Sequence, residues 1–197
     1  MELDPELGER ARRVRAVVLD VDGVLTDASL YYGARGESLK RFSARDGFAI
    51  KQAQAEGIAI AVLSGRVAPP LRSRLADLGI DSKLVIQGSR DKASDLNRLA
   101  GTMGLAVEQL AFMGDDLPDL PAMAAAGLAA CPADAVPEVK QRCHFIAPAP
   151  GGNGAVRALV ELVLRARGRW DEIVGAWERG EERLRLDLSA TGGKNDG

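Results

Sequence analysis

Asp20 and Asp22 flank a single valine at the end of an apolar run that begins at Ala16, and Gly23 follows at once. Two carboxylates that close repel by roughly 4 kcal/mol at 4 Å and an effective dielectric of ~20, so they need a cation or a shared proton. A divalent metal is the simplest such cation. Taken alone, the Asp-x-Asp pair fits a strand running into an acidic turn equally well. A second acidic group, Gly114-Asp115-Asp116-Leu117-Pro118-Asp119, again follows an apolar run, Leu110–Met113. Between the two, Ser64-Gly65-Arg66 closes the run that starts at Gly57, and Lys92 stands where a helix is expected to begin. Lysine opposes the dipole at a helix start, which points to an anion at that spot; a solvated lysine is the other reading.

The elements that carry these groups follow from periodicity. Pro5–Val14 places Leu7, Ala11 and Val14 on one face of a short helix, and the run Val17–Val21 is a buried strand. Ser29–Tyr32 and Glu37–Phe42, separated by Gly33–Gly36, predict a β-hairpin, with Tyr31 and Tyr32 packing within the sheet or at a subunit interface. Strands and helices then alternate: helix Gly47–Glu56, strand Gly57–Ser64, helix Pro69–Leu78, strand Leu84–Ile86, a helix from Asp91-Lys92, and strand Leu110–Met113. Helix Leu120–Ala126, strand Leu128–Ala130, helix Val136–Arg142, strand Phe145–Ile146 and helix Ala155–Arg167 complete the alternation. Such a pattern predicts a parallel sheet between helical layers, with its crevice at the carboxyl ends of the strands. Asp20, Ser64, Lys92 and Asp115 would meet at that one edge.

Those residue types define a reaction. Asp20 can attack phosphorus as a carboxylate nucleophile if its repulsion with a phosphate dianion is neutralised. Lys92 supplies one positive charge against Asp20, Asp115 and the phosphate, so Mg2+ is implied, since it favours carboxylates, carbonyls and phosphate oxygens. Ser64 and backbone amides, Gly65 among them, are candidate donors to phosphoryl oxygens. Asp22 is placed to protonate the departing alcohol oxygen and then to take a proton from water.

With these motifs in order, the chain resembles the haloacid dehalogenase-like superfamily: Asp20-Val21-Asp22-Gly23-Val24-Leu25-Thr26-Asp27, Leu63-Ser64-Gly65-Arg66, Lys92, and Gly114-Asp115-Asp116-x-x-Asp119. The resemblance implies that Asp20 is the nucleophile, Asp22 the general acid and base, and Ser64 and Lys92 the phosphate binders. It implies Mg2+ held by Asp20, the main-chain carbonyl of Asp22, and Asp115, with Asp116 and Asp119 supporting the acidic loop. About 20 residues separate Asp27 from Gly47 and about 27 separate Ser64 from Lys92, too few for an inserted cap domain. The chain is therefore similar to the capless branch, in particular the 3-deoxy-D-manno-octulosonate 8-phosphate phosphatase family, over roughly residues 15–169, including Arg45-Asp46-Gly47 and Gly151-Gly152-Asn153-Gly154. That family implies a three-layer Rossmann-like α/β fold with a hairpin flap, a cytoplasmic homotetramer, and a role in lipopolysaccharide precursor synthesis.

Candidate substrate contacts are Thr26, Arg66, Arg74 and Arg157. A guanidinium matches a carboxylate, so Arg66 favours a sugar acid. Relatives acting on nine-carbon sugar acid 9-phosphates carry an acidic residue at this place, and such a phosphatase is the alternative reading. Arg74 fits a solvated helix position equally well; Arg157 lies in the first turn of a helix, where anions bind. Ala49 and Val67-Ala68 depart from the family's usual residues near the pocket.

Composition narrows the remaining classes. With 46% hydrophobic residues and a formal net charge of −2, the chain reads as one globular domain with no field for nucleic acid or an anionic membrane surface. The acidic start MELDPELGER is not expected to act as a signal or anchor, and no segment reaches the ~20 apolar residues of a membrane helix. Cys131 and Cys143 suit a reducing compartment, a disulfide between them being unneeded; His144 is expected to be structural, and Trp170 and Trp177 to form a packing stripe. Residues 1–14 read as a helical extension, 15–182 as the phosphatase domain and 183–197 as a flexible tail. A signalling receiver domain also gathers aspartates, Ser/Thr and Lys, but in a different order; a non-catalytic scaffolding relative is disfavoured because every catalytic position is filled.

Overall fold

The structure, a computed structural model, describes residues 4–34 and 36–181; the expected tail and the hairpin's Arg35 lie outside the described residues. Asp4 opens α1 (Pro5–Arg13) by accepting from the Leu7 amide at 3.0 Å, and the chain enters β1 (Ala16–Leu19). All four β1 side chains are buried, and the period of two divides them between two cores. Val17 and Leu19 face one apolar cluster; Ala16 and Val18 face the other. A central strand needs this double burial, and β1 is central.

Beyond β1 the hairpin β2 (Tyr31–Gly33) and β3 (Gly36–Leu39) stands apart as its own antiparallel pair. Tyr31 and Tyr32 are exposed within this chain, so the expected packing inside the sheet is not found; the hairpin is too small to bury them itself. Then come α2 (Ala44–Ala55), β4 (Ala59–Ser64), α3 (Pro69–Asp77), β5 (Val85–Gln87) and α4 (Lys92–Met103). The second half follows as β6 (Leu110–Met113), α5 (Leu120–Ala125), β7 (Leu128–Cys131), α6 (Pro137–Lys140), β8 (Phe145–Ile146), α7 (Ala155–Ala166) and α8 (Trp170–Glu178). α2 starts earlier than its apolar pattern suggests, because the Ser43 hydroxyl accepts from the Asp46 amide and caps the helix.

The six-stranded parallel sheet has the order β5-β4-β1-β6-β7-β8. Ala16 pairs with Ala59 on one side and with Leu110 on the other, so the strand order reverses at β1. A crevice opens at the carboxyl end of the strands at such a switch point. Apolar residues of α1, α2, α3, α7 and α8 fill one face, and those of α4, α5 and α6 the other. Among the described residues no cap domain interrupts this three-layer plan. Among the described residues, no helix is long and apolar enough to cross a membrane.

The smaller expectations divide. Trp170 is buried, while Trp177 sits half-buried on α2, its Nε1 donating to Gln52 at 3.4 Å and its ring tilted on Phe48 at 5.5 Å. His144 exchanges two bonds with Ala129 on β7, a structural use. Cys131 and Cys143 are both free thiols, with sulfurs 3.2 Å apart. Ala49 belongs to the core under α2 rather than to a pocket, and Val67 is exposed.

Candidate active site

Asp20 leaves the end of β1 with its amide still bonded to the Met113 carbonyl of β6 at 3.0 Å. That bond holds the carboxylate over the sheet's edge. The chain then turns sharply through Val21–Leu25, with Gly23 at φ +89°. A side chain on Gly23 would run into the Asp115 carboxylate, so only glycine lets the first acidic turn approach the loop after β6. Lys92, at the start of α4, donates to Asp20 Oδ1 at 2.9 Å and Asp119 Oδ1 at 2.5 Å, and its side chain is 7% exposed. The anion that the sequence places at this helix start is thus a pair of carboxylates.

Asp119 holds the acidic loop closed. Its second oxygen accepts from the amides of Asp115 at 2.9 Å and Asp116 at 3.2 Å, and Asp116 in turn accepts from the Leu117 amide at 2.7 Å. Asp20, Asp115 and Asp119 each bring a carboxylate oxygen within 4.8 Å of the other two. Both oxygens of Asp119 are committed to the lysine and the loop, so Asp20 and Asp115 carry the ligand atoms freest for a cation. Burial first, then the charge of Asp119, pushes the Asp20 carboxyl up to about 6 despite Lys92. Burial, Asp119, Asp20 and Asp116 push Asp115 up to about 8. A hard divalent cation fits this oxygen set and its crowded negative charge.

Those two shifts fix a pH dependence. In the metal-free fold both carboxyls hold protons that the unfolded chain releases, so their stabilising contribution is complete below about pH 4 and is lost as pH rises through about 6 and about 8. The thermal unfolding midpoint in chelator is therefore expected to fall between pH 5 and 8.5, and Mg2+ to flatten the decline by binding the ionised pair. Asp115→Asn should remove most of the slope; a midpoint that climbs with pH in chelator refutes the assignment.

The remaining candidates divide into two groups. Ser64 ends β4 and is 2% exposed, its hydroxyl accepting from the Arg66 amide at 3.2 Å. Gly65 is exposed beside Lys92, where an added Cβ would lie 4.0 Å from the lysine Cε. Arg66 reaches back to the first turn, 3.6 Å from Asp22 Oδ2, and binds Glu37 Oε2 at 3.0 Å. Thr26, by contrast, is 1% exposed; its hydroxyl bonds Val21, Gly23 and Ala28 and so closes the turn.

Arg74 and Arg157 lie elsewhere, lining a cavity of about 440 Å³ with Phe48 and Lys51. Arg74 pairs with Asp77 at 2.7 Å and donates to the Ser43 carbonyl at 3.2 Å. Arg157 pairs with Glu161 at 2.6 Å and lies 5.3 Å over the rings of Phe48 and Trp170. The start of α7, expected to attract an outside anion, already holds one: buried Asp46 accepts from the amides of Gly154 at 3.0 Å and Arg157 at 2.8 Å. The glycine loop packs on the first turn, the Gly152 amide donating to the Val24 carbonyl at 2.9 Å.

Sequence reasoning missed Lys40 and Glu37. Lys40, just beyond β3, bonds Asp22 Oδ1 and lies 2.6 Å from Glu37 Oε1. Burial pulls the Lys40 ammonium down, and the two carboxylates more than reverse this, leaving it above its ordinary value. The only sequence signal was a Glu-x-x-Lys spacing in an otherwise exposed hairpin.

Known proteins resemble this chain in sequence and in fold. A model of haloacid dehalogenase-like hydrolases matches residues 83–159. The chain is 43% identical over 161 residues to the 3-deoxy-D-manno-octulosonate 8-phosphate phosphatase of Haemophilus influenzae, covering 82% of this chain and 88% of that protein. The cobalt-bound structure from the same organism superposes with a TM-score of 0.78 at 43% identity, over 81% of this chain and 92% of the other. A Moraxella catarrhalis 3-deoxy-D-manno-octulosonate 8-phosphate phosphatase, solved with magnesium, phosphate and the sugar acid, gives a TM-score of 0.83 at 32% identity, over 87% and 98% of the two chains.

Proposed function

Since this chain belongs to the haloacid dehalogenase-like hydrolases, in their capless 3-deoxy-D-manno-octulosonate 8-phosphate phosphatase family, and is thus a phosphatase, we propose that it hydrolyses that eight-carbon sugar acid phosphate to the free acid and inorganic phosphate. The observation that carries this reading is the meeting of Asp20, Lys92 and Asp115 at the carboxyl edge of the sheet, with Ser64 and Gly65 ending the adjacent strand.

Asp20 attacks the phosphorus, and the sugar oxygen leaves with a proton from Asp22. Water, deprotonated by Asp22, then attacks the aspartyl-phosphate at phosphorus, releasing phosphate and restoring the Asp20 carboxylate. Lys92, the Ser64 hydroxyl and the Gly65 amide hold phosphoryl oxygens through both steps. Mg2+, found in the Moraxella structure, would be held by Asp20, the Asp22 carbonyl and Asp115, and supplies charge that offsets the phosphate dianion. Asp119 and Asp116 keep that loop in shape. Arg66 exchanges its pairing with Glu37 for the substrate carboxylate, the contact that favours a sugar acid.

The same reading includes a homotetramer built through the hairpins. Tyr32 and Leu39 are 67% and 64% exposed, which supports an apolar surface awaiting other copies. It also includes a cytoplasmic place in lipopolysaccharide precursor synthesis, in keeping with two free thiols. Phosphate release from a panel of sugar acid phosphates and simple sugar phosphates, with Mg2+ and with chelator, tests the assignment. Metal-dependent turnover concentrated on the eight-carbon ester is expected; preference for a nine-carbon acid 9-phosphate would overturn the substrate and the argument from Arg66.

A further inference from the structure

This inference rests on the reading of Asp22 as the acid and base of the reaction. Each oxygen of the Asp22 carboxylate meets a different cation: Lys40 bonds Oδ1, and Arg66 Nε lies 3.6 Å from Oδ2. The two cations differ in setting. Arg66 is 43% exposed at the mouth of the site, whereas the Lys40 side chain is 0% exposed. Its neighbours Leu39 and Arg41 face solvent, so Lys40 alone of the three turns inward. Glu37, 7% exposed, lies 2.6 Å from Lys40 and 3.0 Å from Arg66 and closes a ring of alternating charge. A buried ammonium is costly to place unless it is paired, and here two carboxylates, Asp22 and Glu37, lie against it.

We propose that Lys40 is a positioning residue for Asp22: the hairpin's buried ammonium fixes the carboxylate by Oδ1 and leaves Oδ2, on the open Arg66 side, to meet the departing oxygen of the substrate. In that step the bond between phosphorus and the sugar oxygen breaks as Asp20 bonds to phosphorus. The proton on Asp22 Oδ2 passes to the sugar oxygen, and the carboxylate left behind stays paired with Lys40. A proton donor acts only within hydrogen-bond reach of its target, so a carboxyl free to rotate would lose much of its effect. The hairpin thereby becomes part of the proton-transfer machinery.

The test compares two phosphate esters with and without Lys40, using 3-deoxy-D-manno-octulosonate 8-phosphate, whose alkoxide needs a proton to leave, and p-nitrophenyl phosphate, whose phenolate does not. The quantity is kcat/KM, which reports phosphoryl transfer to Asp20 and excludes the later hydrolysis common to both. Lys40→Met is expected to lower kcat/KM for the sugar ester about 30- to 100-fold and for the aryl ester less than about 3-fold, a split smaller than the ~10²–10⁴-fold of a whole general acid because Asp22 itself remains. Lys40→Arg should recover part of the loss. Equal loss on both esters, or none, overturns the proposal. The ratio of the two esters does not depend on the fraction of protein folded, and Lys40→Gln provides a second variant read in the same way. Asp22→Asn is the control. If it fails to split the esters, the acid–base reading falls and this inference with it; if it splits them and the Lys40 variants do not, this inference alone falls. In the Asp22→Asn background, Lys40→Met should cost little more, since coupled residues are not additive.

Discussion

Asp20→Asn is expected to leave a folded chain that turns over no phosphate ester, with kcat reduced by at least about 10⁴-fold, as for loss of a covalent nucleophile. The amide keeps the size of the carboxylate and the Asp20 backbone bond to Met113, so the edge of the sheet is undisturbed. Its effect on stability should run the other way. The native carboxyl is buried and pushed up to about 6, so above that pH the metal-free protein carries an unfavourable charge that asparagine removes. Lys92 keeps its bond to Asp119. In chelator at pH 8 the variant's thermal midpoint should match or exceed that of the native chain, and Mg2+ should raise it by less. A rapid-quench search for acid-stable protein-bound phosphate should be negative in the variant. Turnover within tenfold of the native rate would end the assignment of Asp20 as nucleophile.

Lys92→Met is the second large effect, and it couples activity to stability. Among the described residues, the lysine is the one side-chain cation bonded to both Asp20 and Asp119. Removing it leaves buried carboxylates facing one another, a loss of about 3–5 kcal/mol when one partner of a buried pair is deleted. Activity should fall by about 10²–10³-fold, the usual cost of removing a donor aimed at developing charge. The stability loss should be greatest in chelator and largely restored by Mg2+, which replaces the missing charge, while the activity loss persists. Urea unfolding with and without Mg2+ gives the first quantity and initial rates the second. Lys92→Arg should not rescue, since a planar fork does not substitute for a compact ammonium held at 2.9 and 2.5 Å between two carboxylates. Equal destabilisation with and without the metal would contradict this account.

Much of the site was legible because its carriers are strand ends. Apolar runs stopping at Asp20, Ser64 and Asp115 mark the places where a buried strand meets water, and alternation with helices implies one common edge. Lys92 was legible for the opposite reason, a charge set against its helix dipole. Other residues needed the folded chain. Thr26 belongs to the motif, but whether a hydroxyl faces outward or closes its own turn depends on a backbone that turns at Gly23. For Arg74 and Arg157 the spacing already offers a partner, since Asp77 and Glu161 stand three and four residues further along the same helices. Asp46 gave no such signal; its target amides lie in a distant loop and the first turn of α7. Lys40 and Glu37 were hidden because hairpin charges are ordinarily solvated, and only the approach of the hairpin to the first turn buries them.

The glycine loop against the first turn has a consequence for the order in which the molecule is made. Gly151 has no room for a side chain because the Gly23 carbonyl occupies that space, and Gly152 is bonded to Val24. The wall behind the nucleophile's turn is therefore supplied by chain that leaves the ribosome long after the nucleophile itself. Contacts so distant in sequence are slow to form, because the loop between them must close first. A nascent chain ending before this loop lacks the contacts that Gly151 and Gly152 make with the turn at residues 23–27. All the catalytic candidates, Asp20 to Asp119, thus precede in the chain the segment against which their first turn packs.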